Sequence, residues 1–213
     1  MSKKITIVLV DDHAVVRAGV RRLLEQEPLF EVIGEADNGE KGYQLFNEIK
    51  PDVMVMDLSK PGMGGLEAIR RILMRDEKAK ILVLSMHEDL SFANQALKLG
   101  AKGYLIKNTL GDDLAKAIEA ISQGEIFLSD EIAKKIAVSS IDGDQDPIDT
   151  LSAREFEIFR LLAEGLEVDA IATTLNISSK TVSNYQTMIK QKLNIHTPFE
   201  LIRFAIKAGV IKN

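Results

Sequence analysis

Short apolar runs alternate with longer amphipathic segments through residues 1–125. The runs are continuous in Val, Ile, Leu and Met, which is typical of strands buried on both faces of a parallel sheet. They predict strands near residues 5–10, 31–36, 53–57, 80–85 and 103–106. The amphipathic segments predict helices near residues 13–26, 39–49, 64–74, 89–99 and 111–123. This alternation predicts an α/β domain whose five-stranded parallel sheet is covered by helices on both faces.

Beyond residue 150 the pattern changes to helices alone. Ser152, followed three residues later by Glu155, is typical of a capping box at a helix start. Further helices are predicted near residues 168–175, 179–193 and 198–208. Before this part, residues 129–136 have the spacing of a short helix, and residues 139–149 carry four aspartates with Gly and Pro, as linkers do. The expected organisation is a domain at 1–125, a linker with a short helix at 126–149, and an all-helical domain at 150–213.

Polar side chains stand where the predicted strands end. Asp11 and Asp12 follow the first strand, Asp57 ends the third, Ser85 ends the fourth and Lys107 follows the fifth. The carboxyl ends of parallel strands open into one crevice, so we expect these side chains to converge although they are distant in sequence. A single Asp at a strand end usually only caps the next helix, but a set on successive strands indicates a shared site.

The expected site combines carboxylates with a lysine and a hydroxyl. Oxygen ligands of this kind suit Mg²⁺, which keeps several waters and needs few protein carboxylates. At the end of the middle strand, Asp57 could attack a phosphoryl donor in line and become an aspartyl phosphate. Lys107 would neutralise charge on the transferred group, and Ser85 could donate a hydrogen bond to it.

Composition limits the classes of protein and the kinds of site that this chain can represent. The 213 residues contain no cysteine, which excludes disulfides and thiolate chemistry, and no apolar run approaches the ~20 residues of a membrane span. A cytoplasmic location is therefore expected. The net charge of −5 argues against nucleic acid for the chain as a whole. Only residues 150–213 are basic, with 8 Lys and Arg against 6 Asp and Glu, so a nucleic-acid surface is expected there.

The strand-end constellation resembles the receiver domain of two-component response regulators over residues 4–125. The resemblance implies a flavodoxin-like (βα)5 fold in which Asp57 is the phosphoacceptor. It also implies Mg²⁺ held by Asp11, Asp12, Asp57 and the backbone carbonyl of Ser59, with Ser85, Tyr104 and Lys107 as switch and phosphate-binding residues. One departure is Lys60, because that family commonly has an apolar residue at this position.

The helical part shows a helix, a tight turn and a second helix rich in small polar and basic residues, as in helix-turn-helix domains. Leu151 to Glu155, Ile171 to Ser178, Thr181-Val182 and Lys192-Leu193 resemble the signature of LuxR-type DNA-binding domains. By that resemblance the chain is similar to the NarL/FixJ family, and residues 57–68 are most similar to its GacA- or UvrY-like branch. The residues expected to face DNA are Lys180, Thr181, Asn184, Tyr185 and Lys190.

Together these resemblances imply a DNA-binding transcriptional regulator that is switched by phosphorylation and is not an enzyme. The expected partners are a sensor histidine kinase, double-stranded promoter DNA, RNA polymerase and, after phosphorylation, a second copy of the chain; no membrane is expected. One alternative is a phosphorylation-independent protein whose receiver serves as a dimerisation module. Another is a phosphatase with Asp57 as nucleophile, but such enzymes need a general acid two residues on, where this chain has Ser59.

Overall fold

The computed structural model of the chain describes residues 3–58, 64–86, 88–142 and 146–211. Its strands are β1 (Ile5–Val10), β2 (Phe30–Ala36), β3 (Val53–Asp57), β4 (Ile81–Ser85), β5 (Gly103–Ile106) and β6 (Phe127–Leu128). The first helices are α1 (Ala14–Glu25), α2 (Gly39–Ile49), α3 (Gly65–Arg75), α4 (Leu90–Leu99), α5 (Leu110–Ser122) and α6 (Asp130–Asp142). They are followed by α7 (Ala153–Ala163), α8 (Val168–Leu175), α9 (Ser179–Leu193) and α10 (Pro198–Lys207). Among these residues no helix is both long and apolar enough to cross a membrane.

The chain divides into two compact units. One contains Met1–Glu88 and Ala96–Ala133, and the other contains Asp89–Gln95 and Lys134–Asn213. The first unit holds a parallel sheet in the order β2-β1-β3-β4-β5-β6. Every residue of β3, β4 and β5 is buried, as the continuous apolar runs predicted.

Alternate strand residues pack against helices on each side of the sheet. On one side, Leu9, Val55 and Leu84 belong to a core cluster with side chains from α1 and α5, such as Leu24 and Ile118. On the other side, Gly42 of α2 lies so close to β1 that an added Cβ would be 2.9 Å from a Val10 methyl. Helices therefore cover both faces and leave the carboxyl ends of the strands as the open edge.

The prediction of five strands is wrong by one within the described part of the chain. Phe127–Leu128 adds β6 to the edge of the sheet, where the Phe127 amide donates to the Lys102 carbonyl at 3.0 Å. A segment of two residues is too short to show a period in the sequence, and only its pairing with β5 makes it a strand. The helix predicted near 129–136 also continues further, to Asp142. The domain boundaries themselves stay predictions.

The helical residues of the second unit form the expected elements. Ser152 and Glu155 cap α7 reciprocally, since the Ser152 amide donates to Glu155 Oε2 at 2.7 Å and the Glu155 amide donates to Ser152 Oγ at 3.3 Å. The turn between α8 and α9 is short because Asn176 adopts the left-handed conformation at φ 51° and ends α8. Ser178 then caps α9, accepting from the Thr181 amide at 3.1 Å. The helix-turn-helix prediction is confirmed.

Candidate functional site

Three carboxylates meet where β1 and β3 end. The sheet order places β2 on one side of β1 and β3 on the other, so the ends of β1 and β3 lie at the switch point of the topology. Asp57 is fully buried, Asp11 is buried and Asp12 is half-buried. These three residues and His13 each offer one ligand atom, and the four atoms lie within 4.8 Å of one another. The predicted convergence of acidic residues is thus present in the structure.

Lys107 enters this pocket from the end of β5. Its Nζ lies 2.6 Å from Asp11 Oδ2 and 2.9 Å from Asp57 Oδ2, with 5% of the side-chain surface exposed. Burial lowers the pKa of Lys107, but its hydrogen bonds to Asp11 and Asp57 outweigh burial and leave the pKa above its ordinary value of 10.5. The lysine is therefore a fixed cation that links the first and third strands to the fifth.

The donor set fits a hard divalent cation. Asp11, Asp12 and Asp57 bring three negative charges, and Lys107 supplies one positive charge. The pocket consequently keeps an excess of negative charge and several carboxylate oxygens close together, which is what Mg²⁺ coordination uses. Ser59, predicted to add a backbone ligand, and Lys60 lie outside the described residues.

Ser85 lies on β4, which is next to β3, and Tyr104 lies on β5, the strand beyond β4. Leu84 is the register partner of Asp57, so Ser85 stands one residue further toward the open edge of the sheet. Tyr104 pairs with Val83 and lies two residues before the end of β5. Both side chains are fully buried. Their placement agrees with the strand-end prediction, and their switching roles stay predictions.

A hydrogen-bond network that joins α1 to the Asp11 backbone and to β2 was not predicted from the sequence. Arg17 of α1 donates from Nη1 to the Asp11 carbonyl at 2.6 Å and from Nε to Glu35 Oε2 at 2.8 Å. Glu35 also accepts from Arg21 at 2.6 Å, and this bond, opposed by burial and aided by Arg17, lowers the pKa of Glu35 below 4.5. The available signal was the spacing of Arg17 and Arg21 by one helical turn beside the acidic strand end.

The candidate DNA-contacting surface is the exposed face of α9. Val182, Ile189 and Leu193 are buried and fasten the helix to its own unit. The residues predicted to face DNA lie away from that buried stripe: Lys180 and Asn184 are exposed, and Thr181, Tyr185 and Lys190 are half-buried. Their DNA contacts stay predictions.

Two residues of the same face were missed. Thr187 and Gln191 are exposed and continue the helical spacing begun by Lys180 and Asn184. The helical period alone would have found them, because the predicted set was taken from the family resemblance and not from the geometry of one face. The exposed face therefore extends along the full length of α9.

An ion pair between the partly exposed Lys192 and the buried Glu155 anchors α9. Lys192 Nζ lies 2.7 Å from Glu155 Oε2 and 3.2 Å from the Thr150 carbonyl. Burial raises the pKa of Glu155, but Lys192 and the Ser152 amide and hydroxyl outweigh it and hold that pKa below 4.5. Lys192 therefore holds α9 against α7, and its charge is paired with Glu155 although 37% of its side chain is exposed.

Comparison with known proteins agrees with both halves of the chain. Residues 7–119 match the response regulator receiver domain, and residues 149–205 match the bacterial regulatory proteins of the luxR family. The response regulator UvrY of Escherichia coli K12 is 38% identical over 208 residues, covering 97% of this chain and 95% of UvrY. The response regulator GacA of Pseudomonas aeruginosa is 36% identical over 209 residues, covering 97% of this chain and 98% of GacA.

A solved structure shows the same likeness. RcsB from Salmonella enterica serovar Typhimurium, bound to promoter rprA in the presence of phosphomimetic BeF3−, matches with a TM-score of 0.73 and 29% identity. The match covers 95% of this chain and 98% of the RcsB chain. The resemblances to the receiver and LuxR-type domains, and to the GacA- and UvrY-like branch, are confirmed. The chain therefore belongs to the NarL/FixJ family of two-component response regulators, which join a receiver domain to a LuxR-type DNA-binding domain.

Proposed function

We propose that this chain is a transcription regulator whose binding to promoter DNA is controlled by phosphorylation of Asp57. The observation that carries the proposal is the fully buried Asp57 carboxylate, held at 2.9 Å by Lys107 beside Asp11 and Asp12. A buried carboxylate with a fixed cation and a cation-binding pair of acids is suited to accept a phosphoryl group. The donor would be a sensor histidine kinase, through its phosphoimidazole.

In the proposed reaction an Asp57 carboxylate oxygen attacks the phosphorus of the donor in line. A P–O bond to Asp57 forms while the bond from phosphorus to the donor's imidazole nitrogen breaks, and the imidazole leaves with that electron pair and takes up a proton. Lys107 stays protonated and offers its charge to the oxygens of the transferred group. Bound Mg²⁺, held by Asp11, Asp12, Asp57 and the Ser59 carbonyl, would neutralise further charge on those oxygens.

The proposed switch uses Ser85 and Tyr104. A phosphoryl group on Asp57 carries about two negative charges where the carboxylate carried one, and it brings new acceptor oxygens to the end of β3. Ser85, one residue beyond the register partner of Asp57, would donate a hydrogen bond from its hydroxyl to these oxygens. Tyr104 on the next strand would follow, so that a local charge change selects between two arrangements of β4 and β5.

The proposed DNA contact is made by α9. Its exposed face begins with Lys180 and continues through Asn184, Thr187 and Gln191. The ammonium is suited to phosphates, and the amide and hydroxyl side chains are suited to phosphates and base edges. A helix presented after a tight turn can enter the major groove. RNA polymerase is the further partner through which promoter binding would act.

We propose that the phosphorylated protein binds DNA as a homodimer. Phe199 and Ile202, one helical turn apart on α10, are 73% and 39% exposed. Two large apolar side chains on one exposed helix face favour pairing with an equivalent surface. A two-fold dimer would place two α9 helices on two half-sites one helical turn apart.

The proposal is tested by intact-protein mass spectrometry after treatment with acetyl phosphate and Mg²⁺. The wild type should gain one acid-stable, base-labile phosphoryl group, Asp57→Asn should gain none, and the exposed control Asp37→Asn should behave as wild type. A promoter-binding assay then compares treated and untreated protein. An adduct that persists in Asp57→Asn, or equal DNA binding by Asp57→Asn and phosphorylated wild type, would refute the proposal.

A further inference from the structure

A large apolar side chain, Met188, lies among the polar residues of the exposed face of α9. Among the described residues of this helix it is the large apolar side chain that solvent reaches most, at 45% exposure. It follows Asn184 by four residues and precedes Gln191 by three, so these three side chains are neighbours on one side of the helix. The buried stripe that fastens α9 to its own unit lies away from them.

Two hydroxyl groups beside Met188 are turned back toward the helix itself. Ser183 Oγ donates to the Ser179 carbonyl and Thr187 Oγ1 donates to the Ser183 carbonyl, both at 3.0 Å. Each hydroxyl can still accept a hydrogen bond, but it has no hydrogen left to donate to a base. Of the polar groups next to Met188, the two amides therefore carry the donors that suit base edges.

The position of Met188 matters more than its exposure, because a single exposed apolar side chain is common on protein surfaces. The floor of the major groove presents mostly hydrogen-bonding groups, and its apolar group is the 5-methyl of thymine. A methionine held against polar base edges gains little from leaving water, whereas a thymine methyl gives it an apolar partner. The side chain is also unbranched and polarizable, so it can adapt to the shape of that partner.

We propose that Met188 is a specificity-determining residue that contacts the 5-methyl group of one thymine in each half-site of the promoter DNA. This inference rests on the proposed function, since it requires α9 to enter the major groove, and it deepens that function by naming a base that is read. The amides of Asn184 and Gln191 suit N6 and N7 of adenine. The base pairs beside the contacted thymine are therefore expected to be A·T pairs.

The test begins with selection of preferred duplexes from a random DNA library by the full chain treated with acetyl phosphate and Mg²⁺. Each thymine of a selected duplex is then replaced in turn by deoxyuridine, which lacks only the 5-methyl group, and affinity is measured by fluorescence anisotropy. At one thymine of each half-site, wild type should lose about fourfold in affinity, which corresponds to one buried methyl group. In Met188→Ala the same replacement should change affinity by less than about 1.5-fold, because the two changes remove the same contact.

Two further variants complete the test. Met188→Leu keeps an apolar side chain and should keep part of the deoxyuridine penalty, and Met74→Ala, at a methionine of α3 that is 73% exposed, should keep the wild-type penalty. A selected sequence without a thymine in each half-site, or the same penalty in wild type and Met188→Ala, would overturn the inference while leaving the proposed function standing. Failure of the treated wild type to select or bind any duplex would refute the proposed function, and the inference with it.

Discussion

Replacing Glu155 by glutamine tests how α9, the helix that we propose contacts DNA, is held in place. Glu155 is 2% exposed and its Oε2 accepts from Lys192 and from the Ser152 amide, both at 2.7 Å. Glutamine keeps the shape and one neutral acceptor oxygen, but it has no negative charge to pair with the Lys192 ammonium. Hydrogen bonds to charged groups contribute about 1.5–3 kcal/mol each, so we expect a loss of that size in the free energy of unfolding.

The matched control is Glu164→Gln, which removes an ion pair with Arg160 at the exposed end of the same helix. Exposed pairs contribute at most about 1 kcal/mol. With a urea dependence of about 1–3 kcal/mol per molar, Glu155→Gln should lower the unfolding midpoint by roughly 1 M, well beyond the control. It should also weaken promoter binding, although Glu155 lies on α7 and not on the DNA-contacting face.

The pH dependence gives the same pair a second test. The pKa of Glu155 is lower in the folded chain than its ordinary value of 4.5. A carboxyl with a depressed pKa contributes its full stability above the unfolded value and loses it as the pH falls through the folded value. The gap between wild type and Glu155→Gln should therefore be constant near pH 7 and close progressively below pH 4.5. Equal midpoints for Glu155→Gln and Glu164→Gln at pH 7 would refute the anchoring role of Lys192.

Three further substitutions probe the receiver and the DNA surface. Gly65→Ala would place a Cβ against the Asp57 carbonyl oxygen, closer than van der Waals contact allows, and should lower the free energy of unfolding in urea by about 1–3 kcal/mol. The control Gly19→Ala has nothing within 4 Å of the added Cβ and should raise it by about 0.5–1 kcal/mol. Equal effects of the two would contradict the close packing of α3 on β3. Lys107→Met leaves buried carboxylates without their cation. In EDTA its melting temperature should therefore be lower than that of wild type, and added Mg²⁺ should raise it more than it raises that of wild type. A melting temperature in EDTA equal to that of wild type would count against the pairing. Lys180→Ala should lower the slope of log affinity against log salt by about one in a DNA-binding titration, and an unchanged slope would remove this lysine from the phosphate contacts.

The parallel sheet and the proximity of the aspartates could be predicted from the sequence, because both follow from the alternation of strands and helices along the chain. Continuous apolar runs separated by helix-length segments are typical of strands in a covered parallel sheet, and the ends of such strands share an edge. Asp11 and Asp57 could therefore be brought together without coordinates. Which oxygen of each contacts Lys107 could not be predicted, because this depends on side-chain rotamers set by the surrounding packing.

The missed features depend on tertiary contacts. Phe127–Leu128 becomes a strand only because the Phe127 and Ser129 amides find carbonyls of Lys102 and Tyr104. Arg17 reads in sequence as an ordinary surface residue of α1, and its hydrogen bond to the Asp11 carbonyl appears only after the loop has folded back over it.

The low charge of the DNA-binding part bears on how phosphorylation can control it. Residues 150–213 carry only two more basic than acidic side chains, and Lys192 is held by Glu155. On α9 this leaves Lys180 and Lys190 as the cations of the predicted set, so we expect one copy to neutralise few phosphates and to bind DNA weakly at physiological salt. Joining two copies makes the second contact intramolecular and can raise the overall affinity by about 10²–10⁴ without any new contact. If the output domain is as weakly basic as its composition indicates, promoter occupancy should depend on dimerisation, which is the step that we propose phosphorylation of Asp57 governs.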